Sequence, residues 1–299
     1  MSNPKRVLIT GANKGIGRAL VGAVLSEDED TVVLLGSRDR ARGDAARDAL
    51  IEDKPSWAER IVVVALDVSD DASVVAAAET IAAMYSTASE APLSGIVNNA
   101  GIGFHDYAAQ DVLNVNTYGP YRVCQAFIPL LDPHKGRIVN VSSASGPTFV
   151  AACSAERQRM FIDPEVTWAA IEAEMDAFLE IHNAGGDVEK AGFGSSVYGL
   201  SKACLNAYTL LLAREHPALT VNGCTPGFIE TDMTRTFAQT RGVSPNAMGM
   251  KPPEAGTHAV LYLLFGQPGG SGWYFGSDAL RSPLDRYRSP GDPPYTPSA

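Results

Sequence analysis

Short apolar runs alternate with helical patterns along most of the 299-residue chain. Nearly continuous apolar runs predict strands at residues 7–9, 32–35, 61–66, 95–97, 137–141, 220–224 and 272–275. Helical patterns occupy residues 15–26, 40–52, 71–85, 111–131 and 197–215. Apolar strands that alternate with helices are typical of a parallel sheet covered on both faces. The pattern therefore predicts an α/β fold with a doubly wound parallel sheet of the Rossmann type, in a single domain over residues 1–280.

Two segments depart from this alternation. Residues 147–194 form an insertion, in which a helix is predicted near residues 164–182. Its apolar positions fall on one face of the helix; they are Trp168, Ile171, Met175, Phe178, Leu179 and His182. Residues 281–299 form a proline-rich tail without an apolar pattern, and we expect this tail to stay apart from the core.

Charge and cysteine content narrow the class of protein. The 24 basic and 34 acidic residues give a net charge of −10, which disfavours binding to nucleic acid or to anionic membranes. The chain shows no secretory signal and no apolar run long enough to cross a bilayer. Its four scattered cysteines are typical of reduced core thiols, and its histidines lack metal-ligand spacing. We therefore expect a cytoplasmic protein without a metal site.

A glycine-rich turn follows the first predicted strand. Its sequence is Thr10-Gly11-Ala12-Asn13-Lys14-Gly15-Ile16-Gly17. Such a turn before a helix lets the backbone approach a pyrophosphate, which the helix N-terminus favours. The glycine spacing differs from the Gly-x-Gly-x-x-Gly of many dehydrogenases, and a tight strand-to-helix connection is the alternative interpretation.

The residues after the next strands indicate which dinucleotide binds. Arg38 stands where NAD-selective sites often carry an acid, and together with Lys14 it would suit the 2′-phosphate of NADPH. Asp39 could partly neutralise Arg38, and a solvated loop charge is the other interpretation. Asp67 is a candidate partner for the adenine amino group or a helix cap. Residues Asn98, Asn99, Ala100 and Gly101 would line the cofactor cleft or form a turn.

Tyr198 and Lys202 lie four residues apart on one predicted helix face. A lysine cation lowers the pKa of a neighbouring phenol, so the pair suits acid–base chemistry, although this spacing is common by chance. Ser142 and Ser143 end a predicted strand, where a hydroxyl can bond to a carbonyl oxygen. Asn116 is a polar residue within an apolar helical stretch.

In this order, the motifs resemble the short-chain dehydrogenase/reductase family, and within it the monomeric carbonyl reductases. The resemblance spans residues 6–275 and includes Pro226-Gly227 and the phrase that continues to Met233. It implies that Tyr198 donates a proton to the carbonyl oxygen while hydride arrives from NADPH.

The resemblance also implies roles for neighbouring residues. Ser143 polarises the carbonyl, with Ser142 as a near neighbour that is not excluded. Lys202 holds the nicotinamide ribose and lowers the pKa of Tyr198, and Asn116 anchors a relay water. Pro226, Gly227, Ile229 and Thr231 belong to the cofactor site.

The long insertion departs from most of the family but matches the carbonyl-reductase type. There its helix covers a surface that other members use to form oligomers, so a monomer is expected. The substrate is expected to be an aldehyde, ketone or quinone, and the apolar candidates around it are Phe149, Phe228, Met233, Trp273 and Tyr274.

Two other functions stay open. One is an alcohol or hydroxysteroid dehydrogenase that works in the oxidative direction with the same residues. The other is a non-catalytic NADPH-binding sensor, since a fold alone does not fix a function.

Overall fold

The computed structural model describes residues 5–86, 91–103 and 107–297, and there eight strands alternate with helices. The strands are β1 (Arg6–Ile9), β2 (Val32–Ser37), β3 (Ile61–Ala65), β4 (Gly95–Asn98), β5 (Arg137–Val141), β6 (Thr220–Cys224), β7 (Trp273–Phe275) and β8 (Arg281–Ser282). The α-helices are α1 (Gly15–Glu27), α2 (Arg40–Asp53), α3 (Asp71–Tyr85), α4 (Ala109–Leu113), α5 (Gly119–Phe127), α6 (Ser145–Ala152), α7 (Ala155–Phe161), α8 (Trp168–Asn183), α9 (Val197–Glu215), α10 (Asp232–Thr240) and α11 (His258–Phe265). The seven predicted strands are confirmed to within one or two residues.

All eight strands belong to one sheet in the order β3-β2-β1-β4-β5-β6-β7-β8. Strands β1 to β7 run parallel, and Ile9 pairs with Leu35 on one side and Val97 on the other. The order of strands reverses between β1 and β4. A crevice at the carboxyl ends of strands on either side of such a reversal is where doubly wound sheets bind ligands.

Successive residues of the central strands face opposite sides of the sheet. On β1, Leu8 joins the apolar layer formed with α3, α5, α8 and α9, whereas Val7 and Ile9 join the layer formed with α1 and α11. All three of these side chains are at most 2% exposed. The predicted doubly wound, single-domain fold is confirmed.

Side-chain caps fix where several helices begin. Asp39 accepts a hydrogen bond from the Arg42 amide before α2, and Asp70 does the same for Ala72 before α3. Thr167 caps α8, and Ser196 accepts from the Gly199 amide at 3.0 Å before α9. Each cap typically contributes about 1 kcal/mol of helix stability. The cap at Ser196 also fixes where Tyr198 emerges.

The stretch predicted as one helix over residues 111–131 is divided in the structure. A π-helical turn at Asn114–Tyr118 separates α4 from α5, and a 3₁₀ turn at Ile128–Leu130 follows α5. Pro120 explains the interruption because it has no N–H to donate to the carbonyl of Asn116, four residues earlier. The prediction of one continuous helix is therefore wrong at this point.

The insertion before Tyr198 contains α7 and α8. Helix α8 begins at Trp168 rather than near residue 164, and Ile171, Met175 and Phe178 on its predicted apolar face are fully buried. Arg157 of α7 forms an ion pair with Glu174 of α8. The insertion thus packs onto the main layer that contains α9.

The proline-rich tail does not stay apart from the fold. Its first residues, Arg281 and Ser282, form β8 and pair antiparallel with Phe275 and Tyr274 of β7. The Arg281 guanidinium lies 3.8 Å from the centroid of the Trp273 ring. The prediction failed because main-chain pairing and cation–π contact need no apolar pattern.

Among the described residues, no helix has the length and apolar character that a membrane span requires.

Candidate active site

Two cavities meet at the carboxyl edge of the sheet. The first, of about 640 Å³, lies over the ends of β1, β4 and β5, and we call it the cofactor cavity. The second, of about 660 Å³, lies between α6 and the segments that follow β6 and β7, and we call it the substrate cavity. Both are lined by Ser143, Ser145, Ser196, Pro226, Gly227 and Phe228. This junction is where a bound cofactor and a second molecule would meet.

The cofactor cavity brings together all but one of the residues predicted to line it. The exception is Asn98, which is buried and donates a 2.8 Å hydrogen bond to Asn140 Oδ1. The residues brought together are Gly11, Asn13, Lys14, Gly15, Ile16, Gly17, Arg38, Asp67, Asn99, Ala100, Gly101, Tyr198, Lys202, Pro226, Gly227, Ile229 and Thr231. Ser143 also lines it, whereas Asn116 is fully buried behind it.

The glycine-rich turn is held against the end of β4. Thr10 Oγ1 accepts hydrogen bonds from the amides of Asn99 (3.0 Å) and Ala100 (2.9 Å). Asn99 Nδ2 returns one bond of 2.9 Å to the Thr10 carbonyl. A Cβ on Gly17 would lie only 2.4 Å from the Gly11 carbonyl oxygen, so no larger residue fits there. The turn and the Asn99 segment thus form one rigid cradle.

Helix α1 begins at this cradle without a side-chain cap. Its first amides therefore have no side-chain acceptor and line a cavity, an arrangement that favours an anion. The Lys14 ammonium lies 2.8 Å from Asp232 at the start of α10. Lys14 is therefore already paired, although it lies in the cavity wall as predicted.

Arg38 and Arg42 both line the cofactor cavity at the far side from Tyr198. Asp39, which was a candidate partner for Arg38, instead caps α2 and lies 3.5 Å from Arg42. Within the described ranges, Arg38 forms no ion pair. The region beyond β2 therefore offers one uncompensated cation and a second that is shared with Asp39.

Asp67 follows β3 and faces the same cavity. Its Oδ1 accepts hydrogen bonds from the Ser69 amide (3.0 Å) and the Ser69 hydroxyl (2.6 Å). The carboxylate is thereby fixed in a turn and still reaches the cavity wall. The alternative of a helix cap is wrong for Asp67, because Asp70 caps α3. Contact with a ligand stays a prediction for Asp67.

Tyr198 and Lys202 project from the first turns of α9. The Lys202 Nζ atom lies 5.7 Å from the centroid of the Tyr198 ring and donates a 3.1 Å hydrogen bond to the Val141 carbonyl of β5. Gly146 lets α6 approach α9 here, since a Cβ would lie 3.0 Å from the Lys202 carbonyl carbon. Close helix packing thus sets the position of both side chains.

The environment shifts the pKa of both groups. Burial lowers the pKa of Lys202 to about 8, and the nearby Cys224 thiol only partly opposes that shift. Lys202 is 4% exposed and has no acidic partner among the described residues. Burial raises the pKa of the Tyr198 phenol, against the effect of the neighbouring Ser143 hydroxyl, so the lowering expected from Lys202 is not found in the cofactor-free protein. The phenol is therefore protonated at neutral pH, and the cavity holds a cation that a ligand can partner.

The two serines after β5 differ in their surroundings. Ser142 is buried, and its hydroxyl donates a 3.3 Å bond to the Lys202 carbonyl on α9. Ser143 lines both cavities, and its hydroxyl lies 3.3 Å from that of Ser145. Ser142 therefore supports the helix, while Ser143 faces the junction.

Asn116 lies in the π-helical turn with its amide fully engaged. Its Oδ1 accepts from the Ile102 amide at 2.9 Å, and its Nδ2 donates to the Ile102 carbonyl and to Ser201 Oγ. A Cβ on Gly101 would lie 3.3 Å from Asn116 Oδ1 and 3.7 Å from Lys202 Nζ. The side chain thus holds the 101–103 segment beside Lys202.

Sequence reasoning missed several residues of both cavities. Ser37, Arg42, Ile102 and Asp232 also line the cofactor cavity. Arg42 lies four residues after Arg38, in the first turn of α2, and that proximity was a readable signal for the second cation, whereas Asp232 reaches the site only through folding. Tyr287, Arg288 and Pro290 of the tail line the substrate cavity, and no local pattern marked them.

The apolar candidates around the substrate divide into three groups. Phe149 and Phe228 line the substrate cavity, and Met233 lines the cofactor cavity. Trp273 and Tyr274 line neither, because Trp273 packs under Arg281 and Tyr274 is buried. Those two are core residues.

Comparison with known proteins agrees with this geometry. The short chain dehydrogenase family model matches residues 5–155. The chain is 33% identical over 258 residues to (+)-neomenthol dehydrogenase from Arabidopsis thaliana, covering 77% of this chain and 84% of that protein. It is 32% identical over 276 residues to carbonyl reductase (NADPH) 3 from Rattus norvegicus, covering 85% and 94%.

Among solved structures, salutaridine reductase from Papaver somniferum matches with a TM-score of 0.74 and 28% identity, over 90% of this chain and 99% of that one. The predicted family resemblance is therefore confirmed. The chain belongs to the short-chain dehydrogenase family.

Proposed function

We propose that this protein is an oxidoreductase that reduces a small carbonyl compound (an aldehyde, ketone or quinone) with NADPH. The observation that carries the proposal is the convergence of Ser143, Tyr198 and Lys202 beside the junction of the two cavities. A carbonyl group in the substrate cavity could reach the reactive end of a dinucleotide only at that junction.

The cofactor cavity fits a dinucleotide on its own evidence. The uncapped start of α1 suits a pyrophosphate, and the unpaired Arg38 with Arg42 suits an additional phosphate. Lys202, which is buried and has no counter-ion among the residues that the structure describes, would hold ribose hydroxyls. The relatives include NADPH carbonyl reductases, which supports NADPH over NADH.

When bound, the reduced nicotinamide supplies a hydride to the carbonyl carbon. Tyr198 donates its phenolic proton to the carbonyl oxygen. Burial raises the pKa of this phenol in the cofactor-free protein, so donation depends on groups that stabilise the phenolate. The Lys202 cation stabilises the phenolate that remains. Ser143 donates a hydrogen bond to the same oxygen and stabilises the negative charge that develops there.

Asn116 acts in this proposal as a positioning residue. Its side-chain amide is committed to Ile102 and Ser201, so a relay water toward Lys202 would have to bind its main-chain carbonyl instead. Asp67, Pro226, Gly227, Ile229 and Thr231 complete the walls of the cofactor cavity.

The oxidative direction is a second candidate because one relative is named as a neomenthol dehydrogenase. The same residues would then remove a proton from an alcohol. A non-catalytic sensor is disfavoured, since Ser143, Tyr198 and Lys202 are all present and assembled.

We also propose a monomer that acts in the cytoplasm. Helix α8 packs against α9 and α4 and so covers part of that face of the molecule. All four cysteines are free and buried, which suits a reducing compartment.

The test is the consumption of NADPH or NADH, followed by absorbance, across a panel of aldehydes, ketones and quinones. We expect turnover with NADPH, and we expect Tyr198→Phe to lower it by at least ~100-fold while NADPH still binds, because proton transfer typically contributes about 100- to 10,000-fold. Tyr121→Phe, which removes a hydroxyl outside both cavities, is the matched control. Retention of most activity in Tyr198→Phe would overturn the mechanism.

A further inference from the structure

We propose that the C-terminal tail, residues 281–297, is a specificity-determining wall of the substrate cavity. In this proposal, which rests on the proposed function, the Tyr287 ring together with Phe228 selects carbonyl compounds that carry an aromatic ring next to the carbonyl group.

The tail is anchored by one buried arginine. The Arg288 side chain is 6% exposed and forms an ion pair with Asp278 in the segment after β7. It also donates to Ser282 Oγ (2.9 Å) and to the Asp292 carbonyl (2.6 Å). The amide of Gly291 donates to the second oxygen of Asp278 at 3.1 Å. An arginine with this many charge-assisted bonds fixes the main chain on both sides of it.

This anchor places Tyr287 at the wall of the substrate cavity. Its side chain is 53% exposed, and Phe228, which lines the same cavity, is 43% exposed. Neither ring is needed to fill the core, so both leave an aromatic surface open to a ligand. Phe149 also lines the cavity but is 3% exposed and packs against Phe161 and Phe178.

The rest of the wall is mainly small or hydroxyl-bearing. Its hydroxyl groups include those of Ser143, Ser145, Thr148 and Ser277, and Lys251 adds a cation to that of Arg288. A substrate therefore meets hydroxyl groups around Ser143 and large apolar surface at Phe228 and Tyr287. A substrate with a carbonyl group joined to an aromatic ring matches this wall, because the carbonyl group faces the hydroxyls and the ring faces Phe228 and Tyr287. Pairs of aromatic rings gain free energy beyond that of burial alone.

The experiment compares an aryl methyl ketone with propanal as substrates of the NADPH-loaded enzyme. We expect Tyr287→Ala to lower the ratio of kcat/KM for the aryl ketone to that for propanal by about tenfold, mainly through KM. Tyr287→Phe keeps the ring and should keep the ratio. Tyr295→Ala is the matched control, because this tail tyrosine lies near Arg281 and Arg286 and outside the cavity.

An unchanged ratio in Tyr287→Ala, or an equal change in Tyr295→Ala, would overturn the inference while leaving the proposed function intact. Absence of turnover with both substrates in the wild type would count against the proposed function instead. In that case, binding of a ligand is measured in place of turnover. Calorimetry with the aryl alcohol and the NADP-loaded protein should show about tenfold weaker binding in Tyr287→Ala, and equal affinities would refute it.

Discussion

Arg38 gives the most direct test of cofactor choice, because it is a solvent-exposed cation of the cofactor cavity that the described structure leaves without an acidic partner. Lys14 is engaged by Asp232 at 2.8 Å, and Arg42 lies 3.5 Å from Asp39. A bond from a guanidinium to a charged group contributes about 1.5–3 kcal/mol. Because Arg38 is exposed to solvent, we take the lower end of that range.

The expected loss is therefore about 1.5 kcal/mol, or about tenfold in affinity. We expect Arg38→Gln to raise the Kd for NADPH about tenfold and the Kd for NADH less than twofold, as measured by fluorescence titration. Asp39→Asn should keep the α2 cap and tighten NADPH binding, since Asn is also a good cap and the carboxylate near Arg42 is removed. Both effects should shrink as salt rises.

Arg159→Gln is the matched control, because Arg159 is an exposed arginine on α7 that lies outside both cavities. It changes the net charge of the protein equally without changing the cavity. Equal weakening of NADPH and NADH in Arg38→Gln, or a similar loss in Arg159→Gln, would refute the assignment of Arg38 to the additional phosphate.

Two further predictions concern stability and assembly. Lys202→Met should stabilise the cofactor-free protein by about 3 kcal/mol at pH 7, since the folded state holds a cation whose pKa burial lowers to about 8. Between pH 8 and about 10, the unfolded chain keeps the Lys202 proton and the folded wild type does not, so the free energy of unfolding of the wild type rises with pH. The difference in free energy of unfolding between Lys202→Met and the wild type should therefore shrink over that range in urea titrations. A difference that is absent, or that stays constant with pH, would contradict this. Light scattering should give the mass of one 31.6 kDa chain, because α8 covers α9 and α4, and a dimer or tetramer at working concentration would contradict it.

The sequence predicted the sheet well because its signals are local. Each buried strand is a nearly continuous apolar run, and the turn after β1 carries its glycines where main-chain crowding requires them, as at Gly17. The cofactor residues follow strand ends, and a parallel sheet brings those ends to one edge. The positions of these residues after strand ends were therefore enough to predict most of the residues that line the cofactor cavity.

The substrate cavity was much less predictable because its walls come from distant segments. Tyr287 reaches it through the bond between Arg288 and Asp278, which lie ten residues apart and carry no motif. Trp273 and Tyr274 failed as candidates for a related reason. Both are aromatic residues, which suit contact with a ligand. The direction of each side chain depends on the face of β7 from which it projects, and tertiary packing covers both side chains.

The division of the helix around Asn116 shows how one local feature can shape the site. Pro120 cannot donate to the Asn116 carbonyl, and the chain forms a wider π-helical turn there. That turn lets the Asn116 side chain bond to both main-chain groups of Ile102 while Lys202 lies close by. The proline that interrupts the helix thus also removes the ordinary helical donor from the Asn116 main-chain carbonyl. The relay water proposed for Asn116 would bind that carbonyl, so the irregular turn fits the positioning role proposed for Asn116 better than it fits a defect in the helix.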